Sequence, residues 1–283
     1  MGPLEREGAN VVTDAALQAW SQGDVVLGEQ WFVFRIDPVS PLTKEACAAA
    51  AEGAENAEVS VVGLVVVTQT CDLVRACTER PFVEVCPLVT VDEAALEDVE
   101  RGRRVSYAYI PSLAVRNLVA DLDRVMTVEK SVIAGWERVS GCRSDEERRK
   151  FARSLARKRV RAAFPDDFVD FVKPLQKRLI KKHDRQSEEG DALRALREIR
   201  VRAAPSWDAN EVELQFWFVR DEPEPAFAGK TWDNYLEKWF ELIPKSGRFV
   251  RVFGLVQTLV DLSAREYVES DVLDLDHLSS VAD

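Results

Sequence analysis

The sequence is poor in the residues that build metal sites and disulfide frameworks. Only two of its 283 residues are histidines, His183 and His277, and they lie too far apart to suggest a zinc site by spacing. The five cysteines form an odd set without CxxC spacing, which favours reduced thiols over a network of disulfides. We therefore expect no metal, no cofactor and no structural disulfide.

Long hydrophobic segments are also missing. The longest apolar run, residues 61–67, is far shorter than the roughly 20 residues that a membrane-spanning helix needs. The first residues are charged and lack the apolar core of a signal peptide. These features predict a cytoplasmic protein that does not enter a membrane.

Charge is distributed unevenly along the chain. The net charge is -11, which by itself disfavours a polyanionic partner. Residues 143–202, however, contain 19 Lys and Arg against 11 Asp and Glu, a balance of +8. A basic segment that holds half of all the cations keeps a nucleic-acid partner under consideration.

Runs of β-forming residues and helical patterns predict an α+β protein. Residues 61–67 are apolar on both alternating faces, as in a central strand, and neighbouring runs suggest a small β-barrel. Ser144, followed by acidic residues, is typical of a helix start, and further helices are expected to about residue 201. We predict a barrel domain over 1–136, a basic helical segment over 143–202 and a smaller α+β unit over 205–283.

The polar stretch that follows the central strand is the first candidate site. Thr70, Cys71, Asp72 and Arg75 leave the end of a buried strand, where side chains are held firmly and can face a cleft. They offer a hydroxyl, a thiol, a carboxylate and a cation, which suit acid–base or nucleophilic chemistry. The structural alternative is that Cys71 is a small packed residue and Asp72 caps a turn.

Three short strand-like segments resemble the PemK/MazF-type ribonuclease toxins. The segments are Gly23-Asp24-Val25-Val26-Leu27, Gly63-Leu64-Val65-Val66-Val67-Thr68 and Val83-Glu84-Val85-Cys86-Pro87-Leu88. The resemblance spans residues 21–91 and implies an SH3-like barrel that cleaves RNA without a metal. In that family a Ser or Thr ends the central strand, a position that Thr68 or Thr70 matches. The family's arginine before that strand has no counterpart between Arg35 and Val61.

The second candidate site is the helix predicted after Ser144. Arg149, Arg153 and Arg157 share one face at i, i+4, i+8 spacing, and Lys158 lies beside them. Such a stripe can bind the phosphates of RNA, and the alternative is that it contacts acidic residues of the same chain.

Two further features have competing interpretations. Trp207, Trp217, Trp232 and Trp239 can stack on bases or pack in a core, and their positions on a strand and a helix face favour the core. The acidic segment 271–278 reads as a docking peptide or as a closing edge strand.

Two functions follow from these observations. One is a bacterial toxin-like or antiviral-defence protein that acts on RNA as an endoribonuclease, with Asp72 as general base and Arg75 or Arg80 as the cation on the phosphate. The other is a non-catalytic module that binds a larger protein effector, which the missing arginine favours. A hydrolase that depends on Cys71 is a third reading.

Overall fold

The structure, a computed structural model, describes residues 3–102, 104–160, 163–183, 185–220, 227, 229–244 and 247–273. Contacts group the chain into two units, Met1–Val160 and Arg161–Asp283. Each unit combines helices with a mostly antiparallel sheet, which confirms the predicted α+β class. No helix within these described ranges has both the length and the apolarity needed to cross a membrane.

Unit 1 alternates short helices with strands. In chain order its elements are α1 (Pro3–Leu17), β1 (Val25–Arg35), α2 (Lys44–Ala51), β2 (Asn56–Val66), α3 (Thr70–Leu73), β3 (Phe82–Thr90), α4 (Glu93–Glu100), β4 (Tyr107–Ala108), a 3₁₀ helix (Pro111–Arg116), β5 (Leu118–Asp121), β6 (Met126–Glu129), α5 (Lys130–Ala134) and α6 (Asp145–Arg159).

Strand β3 joins two parts of the unit 1 sheet. The strand order is β1-β2-β3-β5-β4, and β6 also pairs with β3. Residues 82–85 of β3 pair with β6, whereas residues 88–90 pair with β5. Strands β1 and β6 also approach each other, because the amide of Val33 lies 3.2 Å from the sulfur of Met126 and the Arg124 guanidinium lies 5.8 Å from the Phe32 ring centre.

Strand β2 has a hydrophobic core on each face. Val65 packs in one core with Cys86, Leu88 and Leu113 of the 3₁₀ helix, while Val66 packs in the other with Leu17, Trp20 and Val85. From Gly63 to Val67 the apolar run is therefore buried on both faces, whereas Val62 is 48% exposed. The prediction of a central buried strand is confirmed for residues 63–67.

Unit 2 contains the remaining elements. They are α7 (Asp166–His183), α8 (Glu188–Arg194), β7 (Leu196–Ala204), β8 (Val212–Arg220), α9 (Trp232–Phe240), β9 (Phe249–Thr258), α10 (Ala264–Glu269) and β10 (Asp271–Val272). The sheet order is β10-β7-β8-β9, and β8 and β9 are parallel while the other pairs are antiparallel.

The core of unit 2 accounts for its tryptophans. Trp217 and Trp239 are fully buried, and Trp207 and Trp232 pack partly buried against the main core. The core-packing interpretation of the four tryptophans is therefore confirmed for this unit. Asp271 and Val272 pair antiparallel with β7 as a closing strand, and Leu273 after them is buried. The rest of the acidic segment, residues 274–278 with His277, lies outside the described residues.

The expectation that helices continue to residue 201 is wrong at its end. Helix α8 stops at Arg194, and residues 196–204 form β7. In that strand Ile199 and Val201 turn into the core while Glu198 and Arg202 stay partly exposed, so tertiary pairing with β8 overrides the helix-forming composition. The basic segment 143–202 extends over both units. Its helix α6 belongs to unit 1, whereas α7, α8 and residues 196–202 of β7 belong to unit 2.

Candidate functional site

The turn after β2 is held by hydrogen bonds from two other parts of unit 1. The hydroxyl of Thr68 accepts a hydrogen bond of 2.6 Å from the amide of Glu84 on β3. The hydroxyl of Thr70 accepts one of 3.0 Å from the amide of Gln22, whose side chain donates to the carbonyl of Val67 at 2.7 Å. Both threonine hydroxyls therefore accept hydrogen bonds from backbone amides and hold the turn in place.

A buried lysine also donates hydrogen bonds to the backbone of this turn. The side chain of Lys130, at the start of α5, is 1% exposed and donates to the carbonyls of Asp72 at 2.9 Å and Arg75 at 2.6 Å. Gln18 adds a hydrogen bond of 3.2 Å to the carbonyl of Val74. Burial lowers the pKa of Lys130, an effect that Asp14, Cys77 and Asp72 oppose. Sequence reasoning missed Lys130, because its partners lie 55 and 58 residues away in the chain.

The side chains that the turn itself carries are exposed to solvent. Asp72 and Arg75 form a loose ion pair, 3.8 Å between Oδ1 and Nε, with 41% and 53% of their side chains exposed. Cys71 is exposed, and its sulfur lies 3.6 Å from the side-chain oxygen of Gln69. The structure thus brings Thr70, Cys71, Asp72 and Arg75 together on one turn. It gives Cys71 an amide neighbour rather than an imidazole base.

The basic helix α6 contacts acidic and carbonyl groups of its own unit. Arg149 pairs with Asp145 at 2.8 Å within the helix. Lys158 pairs with Asp123, and Arg157 donates to the carbonyl of Gly102. Arg159 reaches Glu84 at 2.7 Å.

Arg153 is exposed, as Arg149 and Arg159 are, but unlike those two it forms no ion pair among the described residues. The predicted stripe therefore exists as a helix face, but much of its charge is matched within unit 1. Because ion pairs with the chain's own carboxylates compete with phosphate, this arrangement weakens the case for a phosphate surface.

A buried carboxylate near the turn was also missed. Asp24 is fully buried, and its Oδ2 accepts from the amide of Ser21 at 2.9 Å and from Arg138 at 2.8 Å. Its Oδ1 has no hydrogen-bond partner among the described residues. The backbone of Asp24 pairs with Val66 at the end of β2. In the sequence Asp24 is visible only as a turn residue after Gly23, since Arg138 is 114 residues away.

Of the five cysteines, two are exposed, two are buried and Cys77 is intermediate. Burial raises the pKa of both Cys86 and Cys142 to about 12, whereas Cys47 and Cys71 are exposed. Iodoacetamide near neutral pH should therefore modify Cys47 and Cys71 in the folded protein and leave the two buried thiols intact. Peptide mapping by mass spectrometry measures the rates. Equal rates at Cys71 and Cys47 would argue against a catalytic thiol, and rapid modification of Cys86 would contradict the burial.

Comparison with known proteins adds no relative. No protein-family model matches the sequence, and searches of curated proteins and of solved structures also found no match. The site must therefore be interpreted from its own geometry.

Proposed function

We propose that unit 1 is a non-catalytic interaction module that binds a larger protein effector through the turn at residues 69–75. The observation that supports this most directly is the frame beneath the turn, in which Lys130, Gln18 and Gln22 bond its backbone or hydroxyl groups. A surface that is fixed before binding loses less conformational freedom when a partner docks. The turn therefore presents Gln69, Cys71 and Arg75 in a defined arrangement.

The side-chain chemistry of the turn favours binding over catalysis. A thiol nucleophile needs an adjacent base, and the neighbour of Cys71 is the amide of Gln69. The hydroxyls of Thr68 and Thr70 already accept hydrogen bonds from backbone amides. Arg75 remains half exposed beside Asp72, and arginines of this kind are common anchors in protein interfaces.

Cleavage of RNA by an SH3-like barrel is the second candidate. Two observations favour it. The division of β3 between β5 and β6 and the approach of β1 to β6 are features that a small barrel needs. Asp72 beside Arg75 also supplies a carboxylate and a cation on an exposed turn, the pair required to deprotonate a 2′-hydroxyl and stabilise the phosphate.

One experiment separates the two functions. Labelled total RNA is incubated with the wild-type protein and with Asp72→Ala and Arg75→Ala, and the products are read on a denaturing gel. The effector is isolated by co-purification with the wild-type protein, and its binding to the wild type and to each variant is then titrated. The control is Arg101→Ala, because Arg101 has a similar exposure, 56%, and pairs with Glu97 alone within the described part of the chain. We expect intact RNA throughout and about tenfold weaker effector binding for Arg75→Ala, with little change for the control.

The salt response of effector binding provides a second criterion. A contact of a few residues on a protein partner should weaken only modestly between about 50 and 200 mM salt, whereas a phosphate surface loses affinity steeply over the same range. RNA that is cleaved by the wild type and left intact by Asp72→Ala would establish the nuclease and overturn the module.

A further inference from the structure

The outward-facing surface of the β1–β2 hairpin carries exposed apolar residues. We call this surface the outer face and define it by Glu29, Trp31, Val33, Glu58, Ser60 and Val62. Trp31 lies opposite Ser60 and Val33 opposite Glu58 in the antiparallel register. The alternate residues point inward, since Phe32 is 3% and Val61 is 8% exposed.

Trp31 is largely exposed to solvent and lies on the same face as two exposed valines. Its side chain is 54% exposed, and Val62 and Val33 on the same face are 48% and 36% exposed. Trp31 takes part in no ring stacking, cation contact or side-chain hydrogen bond among the described residues. Single exposed apolar residues are common, but a tryptophan grouped with two valines on one sheet face is typical of a contact surface.

Carboxylates outnumber cations around these apolar residues, and the nearest cation on the same side of β1 is Arg35, two residues after Val33. Glu29 and Glu58 lie on the outer face itself, and Glu29 accepts a hydrogen bond from Ser60 at 3.0 Å. Residues 27–66 contain six carboxylates, all exposed, and two cations. One of those cations, Arg35, lies 3.5 Å from Glu55. The field at this surface therefore attracts cations.

We propose that the outer face binds a polypeptide segment of a protein partner in which apolar side chains alternate with lysine or arginine. The apolar side chains of the segment cover Trp31, Val33 and Val62, while its cations pair with Glu29 and Glu58 and stack on the indole ring. The proposal rests on the proposed binding function. It adds a second contact surface and the chemistry of the partner that occupies it.

A peptide probe tests this surface with the full chain. Two fluorescein-labelled 12-residue peptides are compared by anisotropy, one alternating leucine with lysine and one alternating leucine with glutamate. We expect the lysine peptide to bind and the glutamate peptide to bind at least tenfold more weakly. Trp31→Ser should weaken lysine-peptide binding about tenfold, and Glu29→Lys combined with Glu58→Lys should do the same.

Matched variants separate binding from folding. Leu42→Ser removes another exposed apolar side chain, 96% exposed, that lies in the loop between β1 and α2, outside the outer face. It should leave peptide binding unchanged. Val33→Thr and Val62→Thr retain β-branched side chains, so they should preserve the melting temperature while weakening binding about threefold together.

Three results would overturn the proposal. One is equal binding of the two peptides, and another is an equal loss in Leu42→Ser and Trp31→Ser. The third is a concentration-dependent dimer that Trp31→Ser dissociates, which would assign the face to a second copy of this chain. If effector binding depends on Arg75 and the peptide shows no preference, the interaction module stands and the outer face is not its contact. Cleavage of RNA would instead remove the functional premise itself.

Discussion

Replacing Glu189 with alanine should lower the free energy of unfolding of unit 2 by about 3–5 kcal/mol. The carboxylate is 7% exposed and accepts four hydrogen bonds. Oε1 accepts from Arg178 at 2.9 Å and Trp239 at 3.2 Å, and Oε2 from Arg178 at 2.8 Å and Lys238 at 3.3 Å. Its removal leaves a partly buried guanidinium and a buried indole N–H without their acceptor, which is the costly way to break a buried pair.

The contribution of Glu189 should also depend on pH. Burial alone would raise the pKa of Glu189, but hydrogen bonds from Arg178, Trp239 and Lys238 outweigh it and hold the pKa below its ordinary value. The folded state therefore binds the proton less readily than the unfolded state. The stabilisation is complete above the unfolded pKa of about 4.3 and is lost as pH falls through the lower folded value.

Urea unfolding followed by tryptophan fluorescence measures both effects, because four of the seven tryptophans lie in unit 2. The wild type and Glu189→Ala are compared near neutral pH and again in acid. Glu237→Ala, an exposed carboxylate on α9, is the matched control and should change stability by less than about 0.5 kcal/mol. A loss below about 1 kcal/mol at neutral pH, or an undiminished difference in acid, would contradict the assigned role.

Replacing Lys130 with methionine should destabilise unit 1 by about 2–4 kcal/mol. Methionine keeps most of the buried chain but cannot donate, so the carbonyls of Asp72 and Arg75 lose the ammonium that now bonds both. Hydrogen bonds from a charged donor contribute about 1.5–3 kcal/mol each, and the apolar methionine offsets part of the loss. The turn that carries Arg75 should become mobile before the unit unfolds.

Hydrogen exchange of residues 70–77, read beside the global stability, tests that order of events. Protection of these amides should fall more in Lys130→Met than protection in β2 and β3. Lys150→Met is the control, since Lys150 is 68% exposed and, among the residues that the structure describes, pairs with Glu146 of its own helix alone. Unchanged protection at the turn would show that Lys130 is not what holds it.

Local signals in the sequence identified the helices that follow Ser144. The N-cap predicted at Ser144 is present as part of a capping box, with its hydroxyl 3.1 Å from the amide of Glu147, and α6 follows directly. Helix α7 buries Phe168, Phe171 and Leu175 as their spacing predicts, and it continues through Pro174. Such features depend on residues within one or two turns, so they can be recognised without knowledge of the fold.

Features that depend on distant residues were not predictable. The run at 120–128 reads as one strand, yet the structure breaks it into β5 and β6, which pair with different halves of β3. Thr70, Cys71, Asp72 and Arg75 were identified because they follow an obvious buried strand. Lys130, by contrast, resembles a surface lysine until the fold places it under that turn.

The position of β2 between two cores bears on how unit 1 unfolds. Val65 and Val66 are neighbours in the chain and pack in opposite cores. Separating either core from β2 therefore also loosens the packing of the other core against the same strand. A partly opened form with one core intact would expose apolar surface on both sides of the same backbone. Unit 1 should therefore unfold in one cooperative step. Few intermediates should form in which β2 is exposed and able to pair with another chain.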